Sequence, residues 1–317
     1  MNGPFQFHEG ELAVQAQAGE QAVAARNGAV MSDTVILGAR AFIDKQFMVV
    51  VASRDAQGQL WSSVLYGAPG FLGTPDGKRI VIRSAEHERD RSDPLWSNLA
   101  PSARIGLLFI EMGTRRRYRV NGTLDQVTDQ LVEVTIEQAF PNCPKYIQRR
   151  SLRAIPGGAT TAPARIGRGG ALPDEVAALI GRADTLFVAS AHHDSGLDAS
   201  HRGGAAGFVA IQSDGTLRIP DFHGNSMFNT LGNIETDPRV GLIIPDFDGN
   251  QLLHLSGEAR LRWDLSDSTG STGGTNRFWD VRIDQWILRD SPQRLEWEYI
   301  DASPFNPIAH VPHGDRA

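Results

Sequence analysis

The sequence has a single cysteine, Cys143, among 317 residues. A lone thiol excludes an intrachain disulfide framework and any thiolate cluster for zinc or for iron and sulfur, and a reducing cytoplasm fits that usage. No apolar run approaches the roughly 20 residues of a membrane span, and Glu9 and Glu11 come early with no long apolar core beside them, so neither a spanning nor a targeting segment is expected. Positive charge is not in excess either: Lys+Arg 31 against Asp+Glu 37 leaves a formal net charge of −6. That balance gives no electrostatic reason to expect a nucleic-acid or anionic-membrane partner. There is no Gly-x-Gly-x-x-Gly and no phosphate-loop motif, which argues against a built-in nicotinamide domain.

What is present suits a globular protein, with 41% hydrophobic and 21% charged residues over a length that suggests two domains. Gly 33 and Pro 17 favour many short elements over long helices. Asp76-Gly77, Asn121-Gly122, Asp214-Gly215 and Asp248-Gly249 lie between apolar or alternating runs, the signal of hairpins. The chain also repeats itself. Ala52 to Leu72 set under Ala189 to Val209 without a gap aligns Ser53 with Ser190, Ser63 with Ser200, Gly67 with Gly204 and Phe71 with Phe208. Farther on, Asn98 falls on Asn233, Arg104-Ile105-Gly106-Leu107 on Arg239-Val240-Gly241-Leu242, and Gly122 on Gly257.

Each copy reads as a succession of antiparallel strands with one short helix, which suits a small closed barrel because closure removes sheet edges. The predicted fold is mainly β with short helices (α+β), built as two tandem barrels. The expected divisions are an N-terminal helical segment (1–40), a first barrel (41–150), a linker rich in Gly, Pro and Arg (151–173) and a second barrel (174–317). Glu11 to Arg26 has good helix propensity and is expected to pack across a barrel. Leu131 to Gln138 suits strand or helix equally, and Ser266 to Thr275 reads as a low-complexity loop.

The copies diverge where chemistry is expected. The second offers Asp198-Ala199-Ser200-His201-Arg202-Gly203-Gly204, with a guanidinium, an imidazole, a hydroxyl and two glycines that let backbone NH groups approach an anion. In the first copy, Leu65 stands where the second has Arg202. Asp221-Phe222-His223-Gly224-Asn225, followed by Phe228-Asn229, sets a turn with amide side chains before a helix start, where orphan NH groups favour phosphate. The matching first-copy stretch, Glu86 to Ser92, is crowded with alternating charges and has no glycine. One phosphate site per chain, mainly on the second barrel, is the economical reading.

These residues resemble the FMN-binding split-barrel proteins related to pyridoxamine 5'-phosphate oxidase. The resemblance runs through Ser200-His201-Arg202-Gly203-Gly204, Gly207-Phe208-Val209, Ile219-Pro220-Asp221 with Gly224-Asn225, Asn229 to Ile234, Asp237 to Leu242 and Leu255-Ser256-Gly257. Phe140 to Gln148 looks like the family's segment that reaches across to the flavin, and Phe7 to Glu11 looks like the opening of its fused, two-barrel members. The resemblance implies two tandem FMN-binding split barrels forming a pseudo-dimer, and an FMN-dependent oxidoreductase acting on a small organic substrate. It implies that Arg202 and Asn225 approach the flavin phosphate, with Asp221 and Gly224 in the same turn. Ser200, His201, Gly203 and Gly204 would line the ribityl chain or ring edge, Asn142, Lys145 and Tyr146 would close the site from the first half, and Asn229 and Asn233 would support the turn. The family's basic ladder before the phosphate site and its C-terminal arginine-rich segment are not reproduced, which speaks against oxidation of a vitamin B6 phosphate. A homodimer of the whole chain is left open.

Other constellations read more plainly. His192-His193-Asp194 suits a solvated hairpin, since adjacent strand residues point to opposite faces, and no metal is expected there. Arg115-Arg116-Arg117 reads as a charged hairpin, Cys143 as packed, and Trp279 and Trp286 as core or interface. His8, Glu9, Lys145 and His201 are candidates for a polar contact with substrate. Two alternatives stay open: a flavin carrier without turnover, and a split barrel holding haem or a deazaflavin, for which His201 or His254 would be the axial choices.

Overall fold

The computed structural model describes residues 5–154 and 166–307. Three short helices come first: α1 (Glu9–Ala18), α2 (Gln21–Gly28) and α3 (Leu37–Asp44). The first barrel follows with β1 (Met48–Arg54), β2 (Leu60–Tyr66), β3 (Leu72–Gly73), β4 (Arg79–Arg83), α4 (Leu95–Asn98), β5 (Arg104–Glu111), β6 (Arg116–Val127) and β7 (Leu131–Asn142). Between the barrels lie β8 (Arg149–Ala154), β9 (Ile166–Gly169) and α5 (Asp174–Arg182). The second barrel comprises β10 (Thr185–His192), β11 (Gly196–Gly203), β12 (Ala210–Ile211), β13 (Leu217–Pro220), α6 (Asn229–Thr236), β14 (Arg239–Asp246), β15 (Gln251–Arg262) and β16 (Phe278–Asp290), and β17 (Glu296–Asp301) ends the described fold.

The two sheets have one topology. The first runs β2-β1-β5-β6-β7-β4-β3 and the second β11-β10-β14-β15-β16-β13-β12, element for element. Both carry an irregularity at the same place, between Asn121 and Gly122 on β6 and between Ser256 and Gly257 on β15. The cause is the same in each: a Cβ on Gly122 would overlap the Thr135 carbonyl oxygen, and one on Gly257 that of Arg282. Asn121-Gly122 is therefore a bulge inside a strand, not the hairpin its sequence suggests, while Gly77, Gly215 and the Asp248-Gly249 pair do lie between strands. Leu131 to Gln138 is strand.

Neither sheet closes on itself. Its terminal strands, β2 and β3 or β11 and β12, are not bonded to each other, so closure is not how the edges are protected. Instead each barrel covers the other. Alternate residues of β1 point two ways: Val49 and Val51 into the first barrel's core, and Met48, Val50 and Ala52 into a cluster shared with Phe187, Ala189 and Ala191 of β10. Backbones nearly touch there, since a Cβ on Gly106 would lie 2.7 Å from the Leu197 carbonyl oxygen and one on Gly241 2.5 Å from that of Leu60.

The N-terminal helices break at Gly19, whose φ of 69° stops α1 in the left-handed region. α1 packs on the second barrel, where a Cβ on Gly10 would overlap the carbonyl of Gly232 in α6 and Val14 joins the core, whereas α3 packs in the first barrel's core through Ala39, Phe42 and Ile43. Of the expected linker, 151–154 extend β8, which pairs with β17, and 166–169 form β9, which pairs with β16; the stretch between them lies outside the described residues. The low-complexity loop is organised by Asp267, whose carboxylate accepts from the Ser271 and Thr272 amides and hydroxyls and is held well below the usual carboxylate range by these bonds. Trp279 is fully buried in the core, as the sequence suggests. No helix among the described residues is long and apolar enough to cross a membrane.

Candidate functional site

One cleft between the barrels, with about 790 Å³ of empty space including its mouth, gathers ten of the residues expected at the flavin. The second barrel supplies His201, Arg202 and Gly203 from the end of β11, then Asp221, Gly224, Asn225 and Asn229 from the turn into α6. From the first come Asn142 at the end of β7 and Lys145 and Tyr146 just after it. Ser200, Gly204 and Asn233 do not line it. Ser200 accepts from Arg119 and from the Thr230 hydroxyl behind the wall, Gly204 abuts Phe208, and Asn233 donates to Ser190 Oγ (3.0 Å) and Asp198 Oδ2 (2.7 Å).

Local sequence explains the crossing. Gly203 is required because any Cβ there would overlap the carbonyl oxygen of Tyr146, which arrives from the other barrel. Tyr146 sits in the left-handed region at φ 65°, its ring 4.7 Å from that of Phe222 and its hydroxyl donating to the His223 carbonyl at 2.9 Å. Ser226 and Phe228 share that backbone region, so the turn before α6 is tightly wound.

The sequence reading missed two site residues. Arg117, taken as part of a charged hairpin, and Arg119 alternate on β6 and both face the cleft; their period-2 spacing with Asn121 was the available signal. Arg117 donates to His201 Nδ1 at 3.2 Å and to the carbonyls of Cys143 and Lys145, fixing the crossing segment. Arg119 donates to Asp198 Oδ1 at 3.1 Å. Arg202 has a carboxylate only at 3.8 Å, Asp221, and that group is already bonded at 3.0 Å to the guanidinium of Arg277.

This cluster is charged beyond what it neutralises. Burial first, then the guanidiniums of Arg202 and Arg119, lowers the Arg117 pKa to about 9, and burial likewise lowers that of Arg202. Burial, Arg117 and Arg202 keep His201 neutral, with a pKa well below the usual imidazole value. Five buried polar atoms on the lining residues have no partner: Nε of Arg117, Arg119 and Arg202, His201 Nε2 and Asn142 Oδ1. Because Arg117 can only donate, His201 Nδ1 must accept, and the proton sits on Nε2. The site thus presents four idle donors to a single idle acceptor.

That tautomer leaves His201 without a free lone pair for haem iron. His254 has none either, since Nδ1 donates to the Ser62 carbonyl at 2.9 Å and Nε2 accepts from Arg289 at 2.9 Å. His192 is not solvated as expected: it is buried, its ring is stacked on His8 at 3.9 Å, and Nε2 meets Glu9 at 3.1 Å. These three could converge on a metal ion. Yet His192 Nδ1 accepts the amides of Asp194 and Ser195, which places the proton on Nε2, toward Glu9. The trio serves instead to hold the N-terminal segment on β10. Behind the cleft, Glu11 accepts from Asn229, and its carboxyl is pushed up to about 7 by burial and by Asp198.

Residues 38–156 match the family model described as Pyridoxamine 5'-phosphate oxidase. The match falls on the first barrel and the β8 strand after it, whereas the motifs quoted for Arg202 and its neighbours lie on the second. No curated protein matches the chain. Similar solved structures include HupZ of Group A Streptococcus, at 12% identity over 37% of this chain and 98% of that one, with a TM-score of 0.31. HutZ of Vibrio cholerae, titled a haem storage protein, has 11% identity over 37% and 93% at 0.27, and a FAD-binding protein of Mesorhizobium loti 13% over 41% and 100% at 0.28.

Proposed function

From the match of residues 38–156 to the pyridoxamine 5'-phosphate oxidase family model, we propose that the chain is a member of that family, binds one FMN in the cleft between its barrels and acts as an FMN-dependent oxidoreductase on a small organic substrate. The observation that carries the reading is the set of idle buried donors on Arg117, Arg119, Arg202 and His201. A buried cation without a partner is costly, and an anion rich in acceptors relieves that cost with short, charge-assisted bonds. FMN matches the donor set with a phosphate and with several ring acceptors; haem offers carboxylates but needs a lone pair that neither His201 nor His254 supplies.

Bound FMN would supply the hydride chemistry, which is intrinsic to the cofactor. The chain's own residues then have three tasks. Arg202 and Arg117 hold the phosphate end, with Asn225 and Gly224 in the turn beside them. The His201 Nε2 proton is donated to an acceptor of the bound ligand and stays in place near neutral pH, because the ring does not take up a second proton there. Tyr146 and Phe222 form an aromatic wall that keeps water from one side of the cleft.

The test is the visible absorption spectrum of the purified protein, followed by release of the chromophore and a mass measurement, repeated with Arg202→Ala. A flavin spectrum with the mass of FMN, weakened about 10- to 100-fold in affinity by the substitution, is the expected result. A protein that is colourless and takes up no added FMN would overturn the reading.

A further inference from the structure

The duplication creates a second cavity at the place related to the first by exchange of the two barrels. Leu65 and Tyr66 stand there for Arg202 and Gly203. From the other side, strand register makes Arg289 the counterpart of Asn142, since Arg117 pairs with Asn142 and Leu252 with Arg289. Pro292 and Gln293 then replace Lys145 and Tyr146. The space has not collapsed: with its open mouth included it holds about 1700 Å³ of empty space, against about 790 Å³ for the first cleft.

Its chemistry is reversed. Two cations have become Leu65 and Pro292, while Glu88, Asp90 and Asp93 bring carboxylates to the lining. The one buried cation, Arg289, is 1% exposed and has each of its three nitrogens bonded, donating to Asp90, Asp93 and His254 Nε2. No buried cation in it is left for a phosphate: the other arginine of the lining, Arg83, is exposed and donates to the Gly70 carbonyl at 2.9 Å. What the walls do offer is apolar and aromatic surface on Leu65, Phe71, Ile82 and Trp96, together with two buried polar atoms that lack partners, the donor Trp96 Nε1 and the acceptor Gln293 Oε1.

We propose that this cavity is a second ligand site, specific for a planar aromatic molecule that is neutral or cationic, carries no phosphate or carboxylate, and has both a donor and an acceptor for Gln293 and Trp96. Apolar walls with a few convergent polar groups are what small-molecule sites require, and the lack of an uncommitted buried cation is what excludes a phosphate or carboxylate. The site stands on these residues and needs no flavin in the other cleft.

The probe is lumichrome, a neutral tricyclic with donors and acceptors and no phosphate, titrated into the full-length protein with and without saturating FMN while its fluorescence is followed. One equivalent bound per chain in both conditions, unaffected by Arg202→Ala and weakened at least about tenfold by Leu65→Trp, is expected, the indole filling the cavity. Gln293→Leu, at the rim, gives an independent weakening should Leu65→Trp disturb folding as judged by circular dichroism. Absence of binding, displacement by FMN, loss on Arg202→Ala, or indifference to both cavity variants would each overturn the proposal.

Discussion

Two cavities related by the chain's own duplication hold buried arginines on opposite terms. In one, Arg289 is enclosed by Asp90, Asp93 and His254, with each of its three nitrogens bonded. In the other, Arg117 and Arg202 crowd together with idle Nε groups and a single distant carboxylate, Asp221, 3.8 Å from Arg202 and shared with Arg277. Strand order, register and even the bulge are shared, so backbone geometry does not separate them. The difference lies in who neutralises the charge. A cation paired within the protein is structure; one left unpaired in a cleft is half of an interaction whose other half comes from outside.

The sharpest way to break this contrast is Arg289→Ala, which strands the buried carboxylate of Asp93 and the half-buried one of Asp90. Unfolding stability is expected to fall by about 3–5 kcal/mol in denaturant titration, and a loss under about 1 kcal/mol would mean the cluster is not the structural unit described. The next effect concerns Glu11, which has no equivalent on the first barrel. Its carboxyl is raised from 4.5 to about 7 in the folded chain, so between those values the folded state holds a proton that the unfolded state has released. Stability therefore declines as pH rises through that window, by up to about 3 kcal/mol, and stays lower above it. Glu11→Gln should accordingly raise the melting temperature relative to the parent at pH 8 and leave it unchanged at pH 4; equal shifts at both would refute the assignment. Smaller again is Arg117→Leu, which installs the residue found at the counterpart Leu252. FMN affinity, read by flavin fluorescence, should weaken about 10- to 100-fold. The reciprocal Leu252→Arg should give no FMN binding in the sister cavity, because Asp90 and Asp93 remain.

Much of the fold was legible because duplication doubles every signal: Ser63 with Ser200 and Gly122 with Gly257 each testify to one position twice. Arg202, Gly203 and the Gly224-Asn225 turn were legible for a related reason, as the places where the copies disagree. Arg117 and Arg119 were not, because three consecutive arginines look like solvated charge until strand pairing shows which of them turns inward. His192 misled in the same way, its burial being the work of His8 and Glu9, more than 180 residues away in sequence. The bulge at Asn121-Gly122 was mistaken for a hairpin because glycine serves both needs, positive φ and close approach, and only the overlap with Thr135 distinguishes them.

Gly106 and Gly241 bring a last consequence. With the backbones of the two barrels so close, the face through which a solitary barrel would find its twin is consumed within one polypeptide. The molecule has spent its own valence for self-recognition. Any assembly of several chains must be founded on a different surface.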